Sequence, residues 1–136
     1  MGTKCWKKAG SVTADTWLDA VEGCKAEGAI LASVTSAEEQ TQVRVSGQSY
    51  SHVGQFQLEA MMSSDGAWIG LSDVLQEGTF AWRDGSELTY TNWKTNNPNN
   101  ANGEQHCVWA RGDDGTWDDI VCRRTEEYIC QKTARS

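Results

Sequence analysis

Five cysteines fall in a chain of 136 residues, at positions 5, 24, 107, 122 and 130, and no two of them make the Cys-x-x-Cys spacing of a zinc knuckle or redox motif. In a chain this short, such usage favours disulfides and therefore an oxidising, extracellular compartment. The odd count leaves one thiol that needs a separate explanation.

The rest of the composition suits one compact domain. With 38% hydrophobic and 23% charged residues, the chain is long enough for a real core and too short for a second one. A single domain over residues 1–136 is expected, with residues 1–4 as a remnant of a leader or of expression. The longest apolar stretches, such as Ala29 to Val34, fall far short of the roughly 20 residues of a membrane-spanning helix, so no membrane insertion is expected. The first residues lack an apolar core of a signal peptide, which fits a secreted protein whose signal has been removed or the ectodomain of a larger protein. Lys and Arg number 12 against 19 Asp and Glu, a negative field that opposes binding to nucleic acid or acidic membranes.

Hydrophobic periodicity divides the chain into an early helical part and a late β part. From Thr13 to Gly28, Trp17, Val21 and Cys24 share a helical face, and Gly28 is suited to a left-handed stop. Ser36-Ala37-Glu38-Glu39 matches a capping box and predicts a second helix. Residues 47–66 are polar and Ser/Gln-rich, and either a helical extension or a long loop fits them. After Gly66 come strand-length pieces separated by turn signals: Ala67 to Leu71, Gly78 to Trp82, an Asp84-Gly85 turn, Leu88 to Trp93, Cys107 to Ala110, an Asp114-Gly115 turn, Thr116 to Asp119, and Tyr128 to Cys130. Between Lys94 and Gly103 the chain is dense in Asn and carries its one proline, Pro98, which marks a long irregular loop. Helices early and strands late make an α+β fold.

This order of features resembles the C-type lectin-like domain. Trp68-Ile69-Gly70-Leu71 matches that family's core strand, and Cys24, Cys107, Cys122 and Cys130 match its four-cysteine frame. The resemblance covers nearly the whole chain and implies two helices flanking small antiparallel sheets, a long irregular calcium-binding loop, and disulfides Cys24–Cys130 and Cys107–Cys122. Residues alone would allow other pairings. Cys5 lies where longer members carry the second cysteine of an N-terminal hairpin. It is therefore either unpaired because its partner lies upstream, or intermolecular, bridging a dimer.

Sugar-binding members hold calcium in the long loop, and the ion takes sugar hydroxyls as further ligands, so hard oxygen donors must converge on one point. Asn97-Pro98-Asn99 lies where they carry Glu-Pro-Asn for mannose-type or Gln-Pro-Asp for galactose-type sugars, with a cis proline turning both flanking side chains toward the ion. Trp117-Asp118-Asp119 lies where they carry Trp-Asn-Asp, which makes Trp117 a core anchor and Asp118 and Asp119 metal ligands. The remaining ligand position, two residues before the third frame cysteine, holds Gln105, with Glu104 beside it. The expected calcium ligands are thus Asn97, Asn99, Glu104, Gln105, Asp118 and Asp119, of which Asn97, Asn99, Gln105 and Asp118 would also meet sugar. Amides at Asn97 and Gln105 lower the anionic total, and predict a dissociation constant around the millimolar range. Asp73 and Glu77 match a pair that holds an auxiliary calcium in some members, with Asn100 and His106 at the partner positions.

The resemblance assigns Trp17, Trp68, Trp93 and Trp117 to the core and leaves Trp109 and Trp82 either in the core as well or exposed for stacking on sugar, with the core favoured for each. Arg111-Gly112-Asp113 is an integrin-type tripeptide beside a turn. His52 and His106 lack a partner at helix spacing, no serine sits in a GxSxG setting, and no Gly-rich phosphate cradle occurs. The sequence therefore points to a binding module with no catalytic residues: calcium-dependent recognition of a carbohydrate ligand, as on a cell-surface glycoprotein. The alternative is a protein-binding or adhesion domain that keeps the fold without sugar.

Overall fold

The structure is a computed structural model that describes residues 3–9, 16–36, 51–52, 66–95, 97, 103–111 and 115–134. Its one described helix, α1 (Trp17–Ala26), starts where Thr16 can cap it, the hydroxyl accepting from the Asp19 backbone N–H at 3.2 Å. It ends at Gly28, whose φ of 73° suits a residue without a Cβ, while Ala29 N–H donates to Cys24 O at 2.8 Å. Trp17, Ala20, Val21 and Cys24 form its buried face. The second helix expected from Ser36 onward lies outside the described residues, as do 47–66 apart from Ser51, His52 and Gly66.

Eight strands follow in chain order: β1 (Thr3–Ala9), β2 (Ile30–Leu31), β3 (Ser51–His52), β4 (Ala67–Ser72), β5 (Ala81–Trp82), β6 (Gln105–Ala110), β7 (Trp117–Val121) and β8 (Glu127–Ala134). They make one connected network in the order β3-β1-β8-β4-β6-β7, with β2 on β8 and β5 on β4. The α+β class is as the sequence implies, but the strands are not all antiparallel. β4 and β8 run parallel, with Ala67 opposite Glu127 and Trp68 opposite Tyr128. A parallel pair needs a long crossover, and the chain between the two strands, with β5 and the β6–β7 pair, supplies it. The stretch Leu88 to Trp93 forms no ladder, only a single bridge from Trp93 to Trp117. The strand expected from Gly78 is reduced to Ala81–Trp82, because the chain turns at Gly78 (φ 83°) and Thr79 N–H closes on Gln76 O at 2.9 Å.

β4 is buried along its whole length. Its glycine is dictated by a close approach: a Cβ on Gly70 would sit 2.9 Å from Leu31 O and 3.1 Å from Ala32 O, where Gly70 N–H instead donates to Ala32 O at 2.8 Å. One part of the core gathers Trp6, Val34, Ile69, Leu71, Trp82, Val108, Trp117 and Ile129; the other joins α1 to Leu31, Trp68, Ile120 and Tyr128. The Cys24–Cys130 disulfide ties α1 to β8, and Cys107–Cys122 ties β6 to the segment after β7.

A polar network crosses the sheet end. Asp84 Oδ2 accepts from Ser33 Oγ at 2.7 Å and Gln131 Nε2 at 2.8 Å, and its Oδ1 from Ser86 N–H at 2.8 Å. Gln131 Oε1 in turn accepts from Ser33 N–H at 2.8 Å and from the buried Trp6 Nε1 at 3.2 Å. Burial pushes the Asp84 carboxyl pKa up, but the hydrogen bonds from Ser33, Ser86 and Gln131 outweigh it, so that the net shift is downward.

Two outcomes are expected. Replacing both Cys24 and Cys130 with Ser lowers the unfolding free energy by about 2–5 kcal/mol in urea titrations; a midpoint unchanged from the parent would contradict this. Asp84→Ala leaves buried donors unpaired and costs about 1–3 kcal/mol at neutral pH. Because the folded pKa lies below the ordinary 3.8, this contribution is complete above that value and fades as pH falls through the folded one. The gap between parent and variant should therefore narrow in urea titrations below about pH 4.

Candidate functional site

Trp117 fixes the geometry around the expected calcium ligands. It is fully buried, and the rings of Trp82, Tyr90 and Trp93 meet it edge-on at centroid distances of 5.4, 5.9 and 5.8 Å. Backbone bonds run beside the rings: Trp117 N–H donates to Asn92 O and Lys94 N–H to Trp117 O, each at 2.8 Å. Residues 92–94 are thereby strapped alongside the start of β7. A turn follows, in which the N–H of the half-buried Asn97 donates to Lys94 O at 2.9 Å. Asn99, Pro98 and Asn100 lie outside the described residues.

Asp119 has no solvent exposure and Asp118 is half-buried. Burial and the adjacent Asp119 charge raise the Asp118 pKa; the Arg111, Lys94 and Arg124 cations pull the other way without cancelling the rise. Two neighbouring carboxylates, one wholly buried, make a site where a divalent cation would lower the electrostatic cost. The donors at hand, two carboxylates with the amide oxygens of Asn97 and Gln105, are hard oxygens of the kind calcium takes. The three nearby cations reduce the anionic field and were not foreseen from the sequence, since none of them is on β7 and only the chain path brings them to Asp118.

Gln105 opens β6 opposite Val121, and a register shift follows before Cys107 pairs with Ile120. Glu104, one residue earlier, faces Arg123 at 3.5 Å and lines an open depression of about 360 Å³ with Gly103, His106, Val121, Cys122 and Arg123. The expected auxiliary pair does converge: the Asp73 and Glu77 carboxylates lie close to the His106 ring.

Of the tryptophans considered for sugar stacking, Trp82 is buried, and the half-buried Trp109 has the Arg124 guanidinium 5.1 Å above its ring. Of the Arg111-Gly112-Asp113 tripeptide only Arg111 is described. Cys5 lies on β1, opposite Lys132 of β8 and His52 of β3.

The Lectin C-type domain family matches residues 13–132. Among known proteins, the chain is 33% identical over 122 residues to salivary C-type lectin 1 of Aedes albopictus, covering 85% of this chain and 75% of that one. It is 37% identical over 123 residues to the human CD209 antigen, covering 88% of this chain but only 26% of the other. Among solved structures, the carbohydrate-recognition domain of cow CD23, determined in the presence of a GlcNAc2Man3 oligosaccharide, superposes with a TM-score of 0.82 at 29% identity, covering 100% of this chain and 92% of that one. A calcium-independent type II antifreeze protein superposes with 0.79 at 28% identity, covering 99% and 90%.

The carboxylate pair gives one expected outcome. Asp118→Asn removes a repulsion that raises the Asp118 pKa and disfavours the ionised form at neutral pH. In chelator it should raise the Tm by about 1–3 °C, the scale of a partly exposed charge contact. A lower Tm in chelator would contradict this account of the pair.

Proposed function

The chain belongs to the C-type lectin domain family, and from that premise we propose that it is an extracellular binding module that recognises carbohydrate through calcium held at the end of β7. Asp118 and Asp119 supply carboxylates, and Asn97, Asn99 and Gln105 supply amide oxygens. Calcium, when bound, would offer its remaining coordination positions to neighbouring sugar hydroxyls; no covalent bond is made or broken. The observation that carries this reading is the buried Asp119 beside the half-buried Asp118, a concentration of negative charge next to the segment 92–94 strapped along Trp117. The likeness to the CD23 carbohydrate-recognition domain, determined in the presence of an oligosaccharide, supports it further. Disulfides fit an extracellular setting, and among the described residues no helix is long and apolar enough to cross a membrane.

A second reading, a protein-binding or adhesion domain that dispenses with metal, is favoured by Lys94, Arg111 and Arg124 around Asp118, because fixed cations offset carboxylates as an ion would. The likeness to a calcium-independent antifreeze protein supports that alternative.

A glycan array probed in calcium and in chelator tests the first reading. Signals present only with calcium, and lost in a folded Asp119→Asn variant, are expected. Ligand binding that is equal in chelator, or that survives in Asp119→Asn, would favour the metal-free reading.

A further inference from the structure

Asp73, Glu77 and His106 bring two carboxylates and an imidazole nitrogen within 4.8 Å of one another. His106 Nδ1 lies 3.0 Å from Asp73 Oδ1 and 3.3 Å from Glu77 Oε1. A single ring nitrogen has one hydrogen or one lone pair in this direction, so it cannot serve both carboxylates fully. Ligands about 2.0–2.1 Å from a tetrahedral zinc ion stand roughly 3.3 Å from each other, which is the spacing around this nitrogen.

The backbone holds two of the donors in place. Ser72 pairs with Cys107 where β4 meets β6, and Asp73 N–H donates to His106 O at 3.0 Å, so Asp73 and His106 are neighbours across the junction of the two strands. The Asp73 side chain is 1% exposed, where a carboxylate calls for a counter-charge. Its second oxygen, Oδ2, accepts from Gly78 N–H at 2.9 Å, the kind of outer hydrogen bond that orients a metal ligand. Glu77 is 60% exposed.

We propose that His106, Asp73 and Glu77 form a binding site for a divalent transition metal of the zinc class. Calcium takes oxygen ligands and has little use for imidazole, whereas zinc takes nitrogen and carboxylate together. The imidazole at position 106 thus sets the metal. Bound there, the ion clamps the exposed turn of residues 73–78, with Val74 and Leu75 at its tip, onto β6. The site is independent of the carbohydrate reading.

Isothermal titration of the full chain with zinc chloride, in buffer containing excess calcium, tests the proposal. Uptake of one equivalent is expected, weakened at least about tenfold in His106→Gln and in Glu77→Gln, with the fold of each variant checked by its melting curve. Because a cysteine thiol is itself a zinc ligand, Cys5→Ser serves as the control and should keep the full uptake. No uptake, uptake unchanged in His106→Gln, or uptake lost in Cys5→Ser would each overturn the assignment.

Discussion

Burial of Trp117 against three other aromatic rings is the contact on which the candidate binding surface depends. Its indole is fully enclosed, with Trp82, Tyr90 and Trp93 edge-on around it. Each such pair adds roughly 0.5–1.5 kcal/mol beyond area burial. Because the backbone at Trp117 also bonds to Asn92 and Lys94, the same residue holds the irregular 92–97 segment beside β7. The two aspartates that follow cannot choose their surroundings freely: strand alternation from a buried Trp117 gives a half-buried Asp118, and the register opposite Val108 puts Asp119 wholly inside. A packing constraint is thus converted into an electrostatic one, since charges in that position need either a bound cation or the nearby Lys94, Arg111 and Arg124.

The rest of the fold is arranged around β8. It bonds to β1, β2 and β4, carries the Cys130 end of the disulfide to α1, and contributes Gln131 to the network with Asp84, Ser33 and Trp6. Such a strand links chain regions far apart in sequence, and long-range closure of this sort has an entropic cost that a disulfide reduces. The polar network has a different role. It satisfies groups that a small core cannot leave unpaired, and it fixes the turn at Asp84-Gly85 against the sheet.

Much of this was legible in the sequence where local chemistry speaks alone. Gly28 closes α1 because a left-handed φ is a local demand, though the Thr16 cap was not singled out, and Trp68-Ile69-Gly70-Leu71 reads as a buried strand from its apolar run. β1 gave no such signal: its Lys-rich segment lacks alternation, Thr3 and Lys4 looked dispensable, and only the partner strand β8 makes it a strand. The parallel β4–β8 pairing, likewise, follows from chain path and not from residue pattern. Asp84 looked like a turn residue because its partners Ser33 and Gln131 are remote. At the site, the resemblance pointed to Asp118 and Asp119, while the contact of Glu104 with Arg123 and the cations around Asp118 could not be placed without the tertiary fold.

The most direct test of the calcium-dependent reading is the melting temperature of the purified chain in EDTA and in about 10 mM calcium. A ligand that binds only the folded form stabilises it by RT ln(1 + [L]/Kd), about 1.4 kcal/mol for a Kd near 1 mM, or several degrees in a domain this size. A rise of that size, abolished by Asp119→Asn, is the predicted result. An unchanged Tm in both the parent and the variant would contradict it, and would leave the buried aspartates to the cations already beside them.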